Sequence, residues 1–421
     1  MKKLECDVAI IGAGPSALAA SVQAAEDGAK VMVFEKTNVV GGAANMGMGP
    51  LGIGTRQQQE QMVDISVEKA FNMFMEYTHW RVDANLVKKY FENSADTIAW
   101  LEDMGLEFAG AYKYFPKSEA TWHIVAVNGG IGRNGGAIMN KTMQDKGIEL
   151  GVEYFLETPV QKILTNEDGS VKGIIAKDAS GEEIEVSAKA VIVGTGGAGD
   201  NPQVIKERMG YTWGEDMFNF AIPGLKGDGI RMVMEAGGAT TDMNIEMIYV
   251  LPNTDMIEPL PVVFMQPNLM VNQQGRRFIN EEQMQNTTFT GNAICIQPGK
   301  VGYAILDSSI LKGYKKRGVD VVNFVHHPDN IDDFDEVLKE QIEAGNKDVY
   351  MADTIEELAE QLGIDPEALA DTVDEYNDMC DSYDEQFFKP RQFMKPLKKG
   401  PFYAGKFRTS GYGTLGGIRI D

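Results

Sequence analysis

The chain has 421 residues, with 39 Lys and Arg against 62 Asp and Glu, a formal charge of −23, and 43% of it is hydrophobic. Such an excess of carboxylate repels phosphate backbones and anionic lipid, and no stretch concentrates enough Lys and Arg to reverse it locally, which excludes nucleic acid as an expected partner. Cores stop growing beyond roughly 250–300 residues, so a chain of this length is expected to form two domains.

The opening MKKLECDVAIIGAG has the basic start and apolar run of a signal peptide, but Glu5 and Asp7 interrupt a short apolar part, so a buried strand is expected instead. Asp7–Gly12 (DVAIIG) is a β-branched run of the kind covered on both faces of a parallel sheet. Pro15–Asp27 (PSALAASVQAAED) is Ala-rich with Pro in its first turn, which predicts a helix. Gly28 ends it, and Lys30–Glu35 (KVMVFE) predicts a second strand that completes a βαβ unit. Val87, Tyr90, Phe91, Ile98 and Leu101 then recur at helical spacing between Asp83, a candidate N-cap, and Gly105, a candidate C-cap. From Gly151 to Lys189, alternating segments broken by Asp168-Gly169 and Ser180-Gly181 predict a small antiparallel sheet. A separate buried strand is expected at Ala190–Gly197 (AVIVGTGG), and Thr354 and Asp365-Pro366 open two later helices. No window of about 18 apolar residues predicts a membrane span. Cys6, Cys295 and Cys380 lie too far apart in sequence for a cluster, haem or disulfide framework, and a cytoplasmic setting is expected.

Gly12, Gly14 and Ala17 stand in G-x-G-x-x-A spacing directly after the first strand and at the start of the helix. The first glycine permits the tight turn, the second lets backbone approach a pyrophosphate, and the third small residue packs helix on strand. Glu35 closes the second strand, where a carboxylate accepts from ribose hydroxyls; with −23 overall, the dianion must be held by local N–H groups and the helix end. Gly130, Gly132 and Gly135 (GIGRNG) match the same spacing. They allow a nicotinamide nucleotide site with Glu153 or Glu157 on its ribose, or simply a glycine loop beside a flavin, and the loop is favoured. After Glu35, the stretch with Gly41, Gly42, Gly47 and Gly49 exposes backbone to which a flat ring can come close.

These residues resemble the FAD-dependent fumarate reductase and succinate dehydrogenase flavoprotein superfamily. The likeness continues through TPVQKIL, DGSVKGI, AVIVGTGGAGDNP, KGDGIRMVMEAGG, LMVNQQGRRFINE, IDPEALADTVDEYN and GPFYAGKF followed by TLGGIRID. It implies an α/β fold: a Rossmann-type FAD-binding domain over residues 1–244, an inserted α+β capping domain over 245–396, and a return to the FAD domain from 397 that the family extends beyond position 421. It implies pyrophosphate contacts at Gly12, Ala13, Gly14, Ser16 and Ala17, and adenosine-ribose contacts at Glu35 and Lys36. Gly41 and Gly42 open the loop that carries Ala43, Ala44, Met48 and Gly49 along the ring, and Val160 is implied near adenine. Thr195, Gly196 and Gly197 would close over the dinucleotide, and Asp228 would meet the sugar-alcohol chain. Some members attach FAD through a histidine after the GG, and none stands near Gly42, so FAD is expected to be non-covalent.

At the substrate site the chain departs from the family. Tyr249 or Val250 stands near the position of a family histidine, Pro261 and Phe264 replace a Glu and Arg, and Tyr412 or Gly413 falls where another histidine is expected. The groups that would clamp two carboxylates are missing, so a substrate other than fumarate is expected, with Tyr412 and Tyr249 as candidate acids for an activated C=C bond. The competing reading of both tyrosines is packing. Arg276, Arg277 and Glu281 suggest a structural ion pair, His123 a buried histidine with one partner, and His326-His327 a solvated loop rather than a metal site. The resulting expectation is an FAD-dependent oxidoreductase with a small-molecule substrate, drawing on an external electron donor protein. An electron-transfer subunit that needs a partner, and an FAD-binding remnant without catalysis, are the alternatives.

Overall fold

The computed structural model describes residues 1–218, 222–254, 256–322 and 331–420, and His326-His327 lie outside the described residues. The chain divides into two compact units, Met1–Ala198 with Ile222–Asp242 and Gly416–Asp421, and Gly199–Ala221 with Met243–Leu415.

The first unit carries β1 (Lys2–Ile11), β2 (Val31–Phe34), β3 (Phe108–Lys113), β4 (Ala120–Val125), β5 (Glu153–Phe155), β6 (Val160–Thr165), β7 (Val171–Lys177) and β8 (Glu183–Val193). Six of these form one sheet in the order β5-β2-β1-β8-β7-β6, while β3 and β4 form a separate antiparallel ribbon. Strand β1 is central: it runs parallel to β2, with Ile11 opposite Phe34, and parallel to β8, with Ile11 opposite Val193. That position buries both faces, which is why the run VAII carries no polar alternation. On one face Ile10 and Val33 pack under Ala17, Leu18 and Val22 of the Pro15–Glu26 helix and Met139 and Met143 of the Gly135–Glu149 helix. On the other, Ala9, Ile11, Phe34, Ile163, Val186 and Met232 form a second cluster.

The antiparallel expectation for Gly151–Lys189 holds in β6, β7 and β8, with turns at Gly169 and Gly181 in the left-handed region. The separate strand expected at Ala190–Gly197 does not exist as such. Strand β8 is continuous, its first residues pairing antiparallel with β7 and its whole length parallel with β1. The helix expected after Asp83 spans Ala84–Asp103, and the Asp83 carboxylate accepts from Asn85 N and Leu86 N.

The second unit holds β9 (Asn244–Val250), β10 (Leu269–Val271), β11 (Val301–Asp307), β12 (Val349–Ala352) and β13 (Phe402–Leu415). The long β13 is its spine: its first half lies between β11 and β12, and its second half pairs with β9. Phe402, Tyr403, Ala404 and Phe407 therefore enter this unit's core, beside Tyr249, Leu260 and Phe264. Gly416 onward groups with the first unit, and Gly199–Ala221 with the second. Both helices anticipated from capping residues form here: Ile355–Leu362 with a Thr354–Glu357 capping box, and Pro366–Asp381 behind Asp365.

Candidate functional site

In the first unit the chain turns sharply at Gly12, which takes φ +91°, and a Cβ there would lie 2.8 Å from Gly194 O. Gly14 caps the Pro15–Glu26 helix in extended geometry, with Ser16 exposed in the first turn and Ala17 buried. A Cβ on Gly194 would lie 2.7 Å from Ala17 Cβ, so the small third residue lets the helix sit against the end of β8 as well as β1. Gly41 N donates to Ala13 O at 2.7 Å, clipping the Gly41–Gly42 loop onto the turn. Gly14 thus faces glycine backbone on two sides, Gly194 and Gly42, at the N-terminus of a helix. The first-turn N–H groups at the positive end of a helix, with glycine backbone on either side, suit a pyrophosphate.

Glu35 borders it. Its Oε2 accepts from Ala13 N at 2.8 Å, and its Oε1 accepts from Thr37 N and Thr37 Oγ1, both at 2.9 Å. The carboxylate is oriented by the turn it serves, and Oε2 keeps a lone pair for a hydroxyl. Beyond it, Lys36, Thr37, Glu157, Pro159 and Lys177 line a cleft of about 590 Å³. Val160, the residue after Pro159, is buried at the start of β6, with its side chain in the core. Lys36 pairs with Asp228 at 2.6 Å, and Asp228 opens the Asp228–Glu235 helix. Thr195, Gly196 and Gly197 follow β8, with Thr195 against Gly229.

The loop expected along a flat ring is a short 3-10 turn, Gly42–Met46, with Ala43 and Ala44 half-buried and Met48 buried. Its backing explains the second glycine pattern. Gly136 N donates to Gly47 O at 2.8 Å, and a Cβ on Gly136 would lie 1.9 Å from Ala44 O. A Cβ on Gly135 would lie 2.7 Å from Met48 O. The strand before this pattern, β4, is antiparallel to β3, so GIGRNG has no parallel βαβ frame, and its last glycine serves the Ala44–Met48 loop. His123 is fully buried, with Nε2 2.6 Å from Thr55 Oγ1, and burial pushes its imidazole below the usual histidine range. A Cβ on Gly49 would lie 1.9 Å from His123 O, and Trp122 Nε1 donates to Gly49 O at 3.0 Å. The Trp-His strand is therefore the wall behind the loop. The donor groove, the oriented carboxylate and the glycines that admit close approach all fit FAD.

The candidate acids lie in the second unit. Tyr249 is 2% exposed, stacks edge-on against Phe407 at 4.8 Å and donates to Met284 O at 2.6 Å. Tyr249 thus packs in the unit's core beside Phe407. Phe264 is buried there too, against Phe334 and Gly405. Tyr412 differs. It is 53% exposed beside an irregularity in the β9–β13 pairing between Gly411 and Thr414. Desolvation, and then the Glu246 carboxylate, push its phenol up, keeping it protonated at neutral pH. Glu246 accepts from Thr288 Oγ1 at 3.2 Å, and Ser410 Oγ is buried without a partner among the described residues. Glu246 and Ser410 escaped the sequence reading. The visible signal was a lone carboxylate inside the apolar run NIEMIYV.

Arg277 is confirmed as structural. It bonds Glu281 Oε2 and Asp384 Oδ1 at 2.9 Å in full burial, with Lys389 Nζ 3.4 Å from Glu281. Burial alone would raise the Asp384 carboxyl, but the hydrogen bonds from Arg277 override it and hold it at about 2.

A family model described as FAD binding domain matches residues 7–421. The chain is 26% identical over 427 residues to a vinyl phenol reductase of Lactiplantibacillus plantarum, covering 98% of this chain and 85% of that protein. It is 28% identical over 418 residues to a cytochrome-type fumarate reductase of Shewanella frigidimarina, covering 99% and 68%. The open conformation of a flavocytochrome c3 fumarate reductase superposes with a TM-score of 0.74 at 26% identity, covering 99% of this chain and 69% of that one.

Proposed function

The chain belongs to the FAD binding domain family, and from that membership we propose that it holds FAD non-covalently and uses hydride transfer at the flavin to reduce, or form, an activated C=C bond in a substrate other than fumarate. The observation that carries the cofactor assignment is the glycine-lined groove at Gly12, Gly14, Gly42 and Gly194, bordered by Glu35. In it, the N–H groups at the start of the Pro15–Glu26 helix bind pyrophosphate and the Glu35 carboxylate orients a ribose. The relatives support the reaction class, since one is a vinyl phenol reductase and another a fumarate reductase. The positions at which the family's carboxylate clamp is expected carry Tyr249, Pro261 and Phe264 in place of His, Glu and Arg, which favours a substrate other than a dicarboxylate. Tyr412, exposed and protonated, is the acid we assign, giving a proton to carbon or a hydrogen bond to a ketone oxygen. A cytoplasmic setting and an external electron donor protein belong to the same proposal.

The test is an absorbance spectrum of the purified chain with added FAD, then anaerobic photoreduction and a panel of enones, enoates, vinyl phenols and fumarate. Rapid reoxidation by an uncharged or monocarboxylate acceptor, with fumarate inert, is the expected result. Reoxidation by fumarate at the fastest rate in the panel would overturn the substrate assignment.

A further inference from the structure

By resemblance, Lys36 belongs to the adenosine ribose and Asp228 to the sugar-alcohol chain. In the structure they hold each other. Lys36 Nζ lies 2.6 Å from Asp228 Oδ2 and also donates to Gly224 O. The sheet order sets β1 between β2 and β8, and Lys36 leaves the end of β2. Asp228 begins a helix seated on the end of β8: a Cβ on Gly229 would lie 2.1 Å from Thr195 Oγ1 and 2.5 Å from Val193 Cγ1. The ion pair therefore crosses the carboxyl end of β1, where the Gly12–Gly14 turn stands. The segment leading to Asp228 follows the same line, with Leu225 Cδ2 3.1 Å from a Cβ on Gly196.

We propose that Lys36 and Asp228 form a strap across the dinucleotide groove, closing over bound FAD and opening to admit or release it. The inference rests on the FAD reading above. The two side chains are 36% and 38% exposed, and a pair that wet is weak enough to open readily. Its sign also matters. Asp228 alone would face a dianionic pyrophosphate and repel it, and Lys36 cancels that charge while keeping one N–H for a phosphate oxygen. Lys36 and Asp228 thus act as one unit.

The test follows free-FAD fluorescence after dilution of FAD-loaded full chain, in the native protein, Lys36→Met, Asp228→Asn and the double variant. Each single change is expected to speed release about fivefold, and the double variant to release FAD no faster than Lys36→Met, because once Lys36 is gone the second change takes away a repelling carboxylate and no further hold on FAD. Fold-changes that multiply in the double variant would show two independent FAD contacts and overturn the strap, as would native release by Lys36→Met. Failure of the native chain to take up FAD in a fluorescence titration would instead refute the cofactor reading, and the strap with it.

Discussion

A methyl group at Gly12 has no room, being 2.8 Å from Gly194 O on a residue at φ +91°. Strain of that kind costs on the order of 1–3 kcal/mol, so Gly12→Ala should weaken FAD binding by about tenfold or more in a fluorescence titration. Tyr412→Phe removes only a hydroxyl from an exposed position. It should slow turnover on the preferred acceptor by roughly 10²-fold while leaving FAD affinity unchanged, a split that a packing role would not produce. At Asp384 the prediction concerns pH. Its folded-state value of about 2 lies below the ordinary 3.8, so its contribution to stability is present above pH ~4 and is lost as pH falls toward 2. Asp384→Asn should lower stability by about 3–5 kcal/mol in urea denaturation, because Arg277 is left buried with a single carboxylate partner, and should flatten the acid limb of the profile. Among individual residues, the turn at Gly12 and the place of Glu35 just after β2 were legible because both are backbone features tied to spacing. Spacing along a strand does not say which face meets the core, so for Tyr249 packing and catalysis both stood open in the sequence, and the structure packs it against Phe407.

At the scale of elements, the β1–helix–β2 unit was readable because periodicity, Pro15 and Gly28 all agree. The helices behind Asp83, Thr354 and Asp365 were readable from their caps, each of which bonds backbone as its residue type requires. Strand β8 was read as two strands because its start alternates and its end, AVIV, does not; in fact one strand keeps β1 along its length and adds β7 only over its first residues. The second glycine pattern shows a different limit. Its spacing is literal, yet what decides its role is β4's antiparallel neighbour, which no local pattern encodes. A consequence is measurable at Gly136, where a Cβ would meet Ala44 O at 1.9 Å. Gly136→Ala should destabilise the chain by about 1–3 kcal/mol in denaturant unfolding, since the helix or the Gly42–Met46 turn must move.

At the scale of the whole molecule, length says that a chain of this size divides and says nothing of where. Strand β13 reads like a return to the first domain because GPFYAGKF precedes TLGG in sequence, yet its aromatic residues are consumed by the second unit's core before the chain crosses back at Gly416. Net charge is the property that belongs to the molecule as a whole. At −23 the protein repels a dianionic cofactor at long range, while the groove attracts it through N–H groups and Lys36 only within the last few ångströms. Screening with a Debye length near 10 Å at 0.1 M salt removes the first effect and largely spares the second. The association rate of FAD should therefore rise as salt is raised from about 10 to 100 mM, and its dissociation rate should change little, as read by stopped-flow fluorescence. An association rate that fell with salt would mean that the groove's positive field extends into solvent and overrides the molecule's charge.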